Sequence, residues 1–208
     1  MQSNNMVTTS QASYLIDLAR RAILHFLETG EKISPDPKKK DKELKEDRGV
    51  FITLNSYPDE ELRGCIGSPF PMCALDKGVI DNAISAAVHD PRFPHVSIKE
   101  MDNIIIEISI LTEPELIKVS SPEDYPKNIK IGKDGLIIRY GYSSGLLLPQ
   151  VPIEWNWNAK EFLSHVCKKA GLPKNMWHSA NIEIYKFQAE IFTEEKPRGK
   201  VIKKRLFR

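Results

Sequence analysis

The strongest constraint on the fold is an order of patterns that occurs twice. Residues 49–55, "GVFITLN", are rich in β-branched and aromatic residues and read as a strand. "SYPDEE" follows as a turn, and "LRGCIG" (62–67) returns as the partner strand. Pro69 and Pro71 cannot donate to a ladder and stop it. Residues 73–89 then carry Leu75, Val79, Ala83, Ala86 and Ala87 at helical spacing, and Pro91 disfavours helix at Asp90. "IIIEISIL" (104–111) is apolar enough for the centre of a sheet. The second half repeats this. Residues 136–141 and 145–151 form a hairpin around "YSS". Asn158 with Glu161 opens a helix whose apolar face is Phe162, Leu163, Val166, Cys167 and Ala170. Residues 181–192 read as one long strand. Phe51 and Leu136 lie 85 residues apart, as do the helix starts near 74 and 159. The expected fold is therefore α+β: two lobes with a duplicated hairpin-helix-strand unit, mostly antiparallel sheet flanked by helices, and a cleft between the lobes.

Around this frame, residues 10–29 predict an amphipathic helix, with Ser10 or Ser13 as its cap and Gly30 as its stop. Residues 35–48 read as a surface loop or short exposed helix, and "KNIKIGKDGL" as a further hairpin. The domain is expected over 1–195. Residues 196–208 form a basic tail with seven cationic side chains and no acids, so a net charge of +2 leaves the body mildly acidic. Such a tail reads either as an arm that touches nucleic acid or as a solvated or lightly docked extension.

At 41% hydrophobic and 28% charged residues the chain is neither disordered nor fibrous. It holds no apolar run long enough for a bilayer, and its polar N-terminus lacks a signal pattern, so no membrane role and a cytoplasmic location are expected. Three scattered cysteines exclude a disulfide framework, and none has zinc spacing, so neither metal nor cofactor is expected. Walker, GxGxxG, HExxH and GxSxG motifs are absent.

Three corners hold the residues that could carry chemistry. In a regular strand Arg63 and Cys65 share one face, and an arginine there would favour thiolate. Gly64 and Gly67 permit a bulge or close approach of a ligand to the backbone. Cys65 thus reads as a nucleophile or redox thiol, or as a small buried residue. In "HDPRFP", Arg92 could hold a carboxylate or phosphate, and His89 could act as base. Alternatively Asp90 and Arg92 pin the loop and Phe93 plugs the core. In "LLLPQVPIEWNW", Gln150 and Glu154 are polar groups in an aromatic stretch, with Glu154 a candidate acid/base and Trp157 a pocket wall or a core residue.

Together, "GVFITL", "LRGCIG", "DPRFP", "GLLLPQV" with Glu154 and Trp157 after it, and "FLSHVCKKAGL" stand in a fixed order. In this the chain resembles the AMMECR-type family over roughly residues 10–195. The resemblance implies a two-lobed α+β protein with a cleft, gives Leu62–Gly67 a cleft-facing functional position, and matches Asp90–Phe93, Pro149–Val151 with Gln150, Glu154 and Trp157 to family motifs. His95 stands where the family carries a second proline. The resemblance supplies no reaction. It implies a pathway shared with Memo-like and radical SAM proteins, a small molecule or a Memo-like protein as partner, or a nucleic-acid factor of basic cellular machinery.

Overall fold

The computed structural model describes residues 7–204. The chain divides into two compact units, one reaching Leu111 and resuming over Glu190–Lys204, the other Thr112–Ala189.

The first unit opens with α1 (Thr9–Thr29). Its cap is Thr8 rather than Ser10 or Ser13, because Gln11 at the third helical position completes a capping box with Thr8. Ser13 instead donates back to the Thr9 carbonyl. Gly30 ends the helix in the left-handed conformation, φ 76°, as expected. A short α2 (Lys42–Lys45) follows and buries Leu44. Then come β1 (Val50–Ser56), β2 (Leu62–Ser68), α3 (Leu75–Val88) and β3 (Ile104–Leu111). All eight residues of β3 are buried, as befits a central strand. The five-stranded sheet is completed by β8 and β9, described below, in the order β2-β1-β3-β8-β9. Even-numbered residues of β1 and β3 pack with the small-residue stripe of α3 and the leucines of α1 into one core.

The second unit begins with β4 (Glu115–Leu116) and a 3-10 turn over Pro122–Asn128. The hairpin expected over "KNIKIGKDGL" does not form. The Asp134 carboxylate takes the Lys130 N–H and its own N–H goes to the Lys130 carbonyl, closing a local turn instead. The expected hairpin is β5 (Gly135–Tyr140) with β6 (Ser143–Leu147), which stops before Pro149. A one-turn α4 (Val151–Glu154) and α5 (Ala159–Lys169) follow, the latter with the full Asn158–Glu161 capping box. The single strand expected over 181–192 is two. β7 (Glu183–Phe187) pairs with β5, whereas β8 (Ala189–Glu194) joins the first unit's sheet. The break falls at Gln188, whose N–H and carbonyl both go to Thr112 rather than along a ladder. The sheet order is β4-β7-β5-β6.

The duplication is thus real in topology. Each unit has a hairpin, a helix and a third strand that returns beside the hairpin's first, giving β2-β1-β3 and β6-β5-β7, all antiparallel. From the basic tail, Val201–Lys204 form β9 against β8, while Arg205 and Arg208 lie outside the described residues. Among the described residues no helix is long and apolar enough to cross a membrane.

Candidate functional site

"LRGCIG" is the edge strand of the first sheet. Its pairing with β1 runs Phe51↔Gly67, Thr53↔Cys65 and Leu54↔Gly64, then slips to Asn55↔Leu62. The slip leaves Arg63 as an extra residue in a bulge. Strict alternation therefore holds only from Gly64 onward, and Leu62 is 42% exposed instead of facing the core with Gly64 and Ile66. Gly64 has a packing reason: a Cβ there would stand 2.2 Å from the Ala86 carbonyl oxygen of α3. Gly67 has another: a Cβ would meet the Phe51 ring at 2.2 Å, so the aromatic lies across the glycine.

An edge strand leaves every second residue's N–H and C=O turned outward. At Cys65 both are claimed by the DPR turn. The Cys65 N–H donates to Asp90 Oδ2 at 2.8 Å, and Arg92 Nη2 donates to the Cys65 carbonyl at 3.3 Å. Asp90 and Arg92 are themselves joined, Nε to Oδ1 at 2.9 Å and Nη2 to Oδ2 at 2.7 Å, with the Arg92 N–H on Oδ1 as well. The pair acts as one rung of a missing neighbouring strand. Asp90 is 5% exposed. The Arg92 fork, outweighing burial and aided by the two backbone N–H groups, holds its carboxyl well below the usual carboxylate range, and Arg92 is raised in turn.

Arg63 leaves the bulge for the loop beyond. Its Nε donates to Glu100 Oε1 at 2.9 Å, Nη1 to the Pro94 carbonyl at 2.8 Å and Nη2 to the His95 carbonyl at 3.2 Å. Burial opposes ionisation of Glu100, but the Ser97 N–H and Arg63 more than offset it. The core plug of this loop is Val96, buried, with its N–H on the Ala87 carbonyl. Phe93 is only half-buried, with the Arg92 guanidinium 5.4 Å over its ring.

The Cys65 thiol accepts a hydrogen bond from Thr53 Oγ1 at 3.3 Å. Burial raises it above the ordinary thiol value. Thr53 and Arg92 pull it down, Glu107 and Asp90 push it up, and burial prevails. The sulfur is therefore a neutral thiol at pH 7. His89 is exposed at the end of α3, and no hydrogen bond joins it to Cys65 among the described residues. Two neighbours escaped the sequence reading. Thr53 is Cys65's cross-strand partner and faces Glu107 on its other side. Glu107 is buried and takes Lys204 Nζ at 2.6 Å. A single carboxylate inside "IIIEISIL" was the available signal for it.

Gln150, Glu154 and Trp157 belong to the second unit. The Gln150 carbonyl accepts the N–H groups of Ile153 and Glu154, while its buried Oε1 has no hydrogen-bond partner among the described residues. Glu154 is exposed, and Trp157 stacks on His165 with centroids 3.6 Å apart. Among the described residues no group of three His, Cys, Asp or Glu side chains is placed to hold a metal ion.

The family model described as AMMECR1 matches residues 16–192. "Protein MJ0810" of Methanocaldococcus jannaschii is 50% identical over 97% of this chain and 98% of its own length. "Protein PYRAB00100" of Pyrococcus abyssi is 56% identical over 93% and 95%. The crystal structure of an uncharacterized protein, PH0010 from Pyrococcus horikoshii, superposes with a TM-score of 0.86 at 53% identity, covering 92% of this chain and 95% of that one.

Proposed function

The chain belongs to the AMMECR1 family, and we propose that it is a binding protein for a small anionic molecule, recognised at the outer edge of β2 by Arg92. One observation carries this reading. The clamp on Asp90 and Cys65 uses Nε and Nη2 of Arg92, while Nη1 has no partner among the described residues and the side chain is 50% exposed. A guanidinium held rigid on one side and open on the other is pre-organised for a carboxylate or phosphate oxygen. By the alternation of the ladder, the Gly67 N–H points out from the same edge as that of Cys65. The neutral thiol argues for binding over thiol catalysis, since thiolate is the reactive form.

A nucleic-acid role for the tail is not favoured. Arg198, Lys203 and Lys204 are already paired with Asp102, Glu190 and Glu107. Thermal unfolding of the full chain with phosphate, pyrophosphate and malonate as probes tests the proposal. At least one probe should raise the midpoint in the wild type and fail to do so in Arg92→Gln. Equal shifts in both proteins, or none in either, would remove Arg92 as the recognising group.

A further inference from the structure

Three flat rings in the second unit stand face to face. Trp155 and Trp157 have centroids 6.2 Å apart and planes 19° from parallel, and Trp157 and His165 follow at 3.6 Å and 10°. The inner rings have packing roles, since Trp157 lies against the second core and His165 is half-buried on α5. Trp155 belongs to neither core cluster and is 67% exposed. An indole buries a large apolar area when it packs, so one left open at the end of a stack is an unfilled contact surface.

The stack itself is uncharged at neutral pH. Burial, with Lys168 nearby, lowers His165 below the ordinary histidine value, against a smaller opposing effect of Glu161. Positive charge stands beside it instead. Lys168 and Lys169 follow His165 by three and four residues, the spacing that shares a helix face, and both are exposed. Glu161 is on that face too, but its Oε2 holds the Asn158 N–H. Glu154, exposed on α4, is the other nearby carboxylate in sequence.

From an open indole ending a ring stack, with lysines on the adjoining helix face, we propose that Trp155 is the stacking platform for an unpaired base of a single-stranded nucleic acid, whose phosphates fall to Lys168 and Lys169. A base offers a π-face whatever its identity, and its backbone supplies the anion the lysines need. An apolar peptide would use the indole but gain nothing from the lysines.

The test uses the full chain with labelled oligouridylate and oligothymidylate of about twelve nucleotides, near the footprint of single-strand sites. Anisotropy gives affinity, and quenching of tryptophan emission reports stacking. The expected result is quenching by the single strands and affinity that falls with salt. Trp155→Ala should bind about tenfold more weakly, and Trp155→Phe should keep most of the affinity. Lys168→Gln with Lys169→Gln should weaken binding and flatten the salt dependence. No binding at low salt, or unchanged affinity in Trp155→Ala, would overturn the proposal. So would equal affinity for uridine monophosphate, for a duplex or for a proline-rich peptide, each pointing to a different ligand.

Discussion

The two repeats share a topology and close their corners by different chemistry. Both seat a helix on a glycine of the edge strand. A Cβ on Gly64 would stand 2.2 Å from the Ala86 carbonyl oxygen, and one on Gly145 would stand 2.5 Å from the Ala170 nitrogen. Both lay a phenylalanine over a cross-strand glycine, Phe51 over Gly67 and Phe187 over Gly135. The first unit then locks its edge with charge, through Asp90–Arg92 and Arg63–Glu100. The second closes the equivalent corner with the rings of Trp155, Trp157 and His165. Topology thus decides where a corner falls, and the side chains that close it set its chemistry: charge at one, aromatic rings at the other.

If charge holds the first unit, its buried pairs should be the costliest to break. Arg20 and Glu194 are both buried and 2.5 Å apart. Arg20 also donates to the Met101 and Ile104 carbonyls. Arg20→Ala leaves Glu194 buried without its cation and should destabilise by about 3–5 kcal/mol in urea unfolding. A loss under ~1 kcal/mol would mean the charge network is incidental. Gly64→Ala should come next, at about 1–3 kcal/mol, because its Cβ meets helix backbone rather than a movable side chain.

Asp90→Asn should cost about 1–2 kcal/mol at pH 7, discounted because Arg92 is half-exposed. Since the folded carboxyl is depressed, its contribution is complete above the unfolded value of about 3.9 and is lost as pH falls below it. The gap between wild type and variant should therefore narrow below about pH 4. A gap independent of pH would mean that the carboxylate's charge is not what holds the turn. The smallest effect belongs to the second unit. His165→Ala removes one ring of the stack and should cost about 0.5–1.5 kcal/mol at pH 7, and less at pH 4, because the lowered histidine takes up its proton more readily in the unfolded chain.

What could be read from the chain was local or periodic. The Asn158–Glu161 box, the Gly30 stop, the small-residue stripe of α3 and the apolar β3 all follow from neighbours in sequence. What escaped depends on partners far away. Arg20 breaks the polarity pattern of α1 and is explained by two carbonyls 81 and 84 residues on and a carboxylate 174 residues on. The Arg63 bulge is a property of register with β1, not of "LRGCIG" itself. Residues 181–192 look continuous because each strand alternates well enough, and the break needs Thr112 as partner to Gln188. For the candidate site, sequence reasoning named Cys65, Asp90 and Arg92, which the fold joins. It could not see that the contact runs through Cys65's backbone, because edge-strand hydrogen bonding leaves no mark on side-chain identity.

That distinction between backbone and sulfur is the centre of the account, and the pH dependence of Cys65 alkylation tests it most directly. With each cysteine followed separately by mass spectrometry in the native protein, Cys65 should react with iodoacetamide along a curve whose inflection lies above the free-thiol value of about 8.5. An inflection near or below neutral pH would show a stabilised thiolate, and would return the sulfur to the centre of the site.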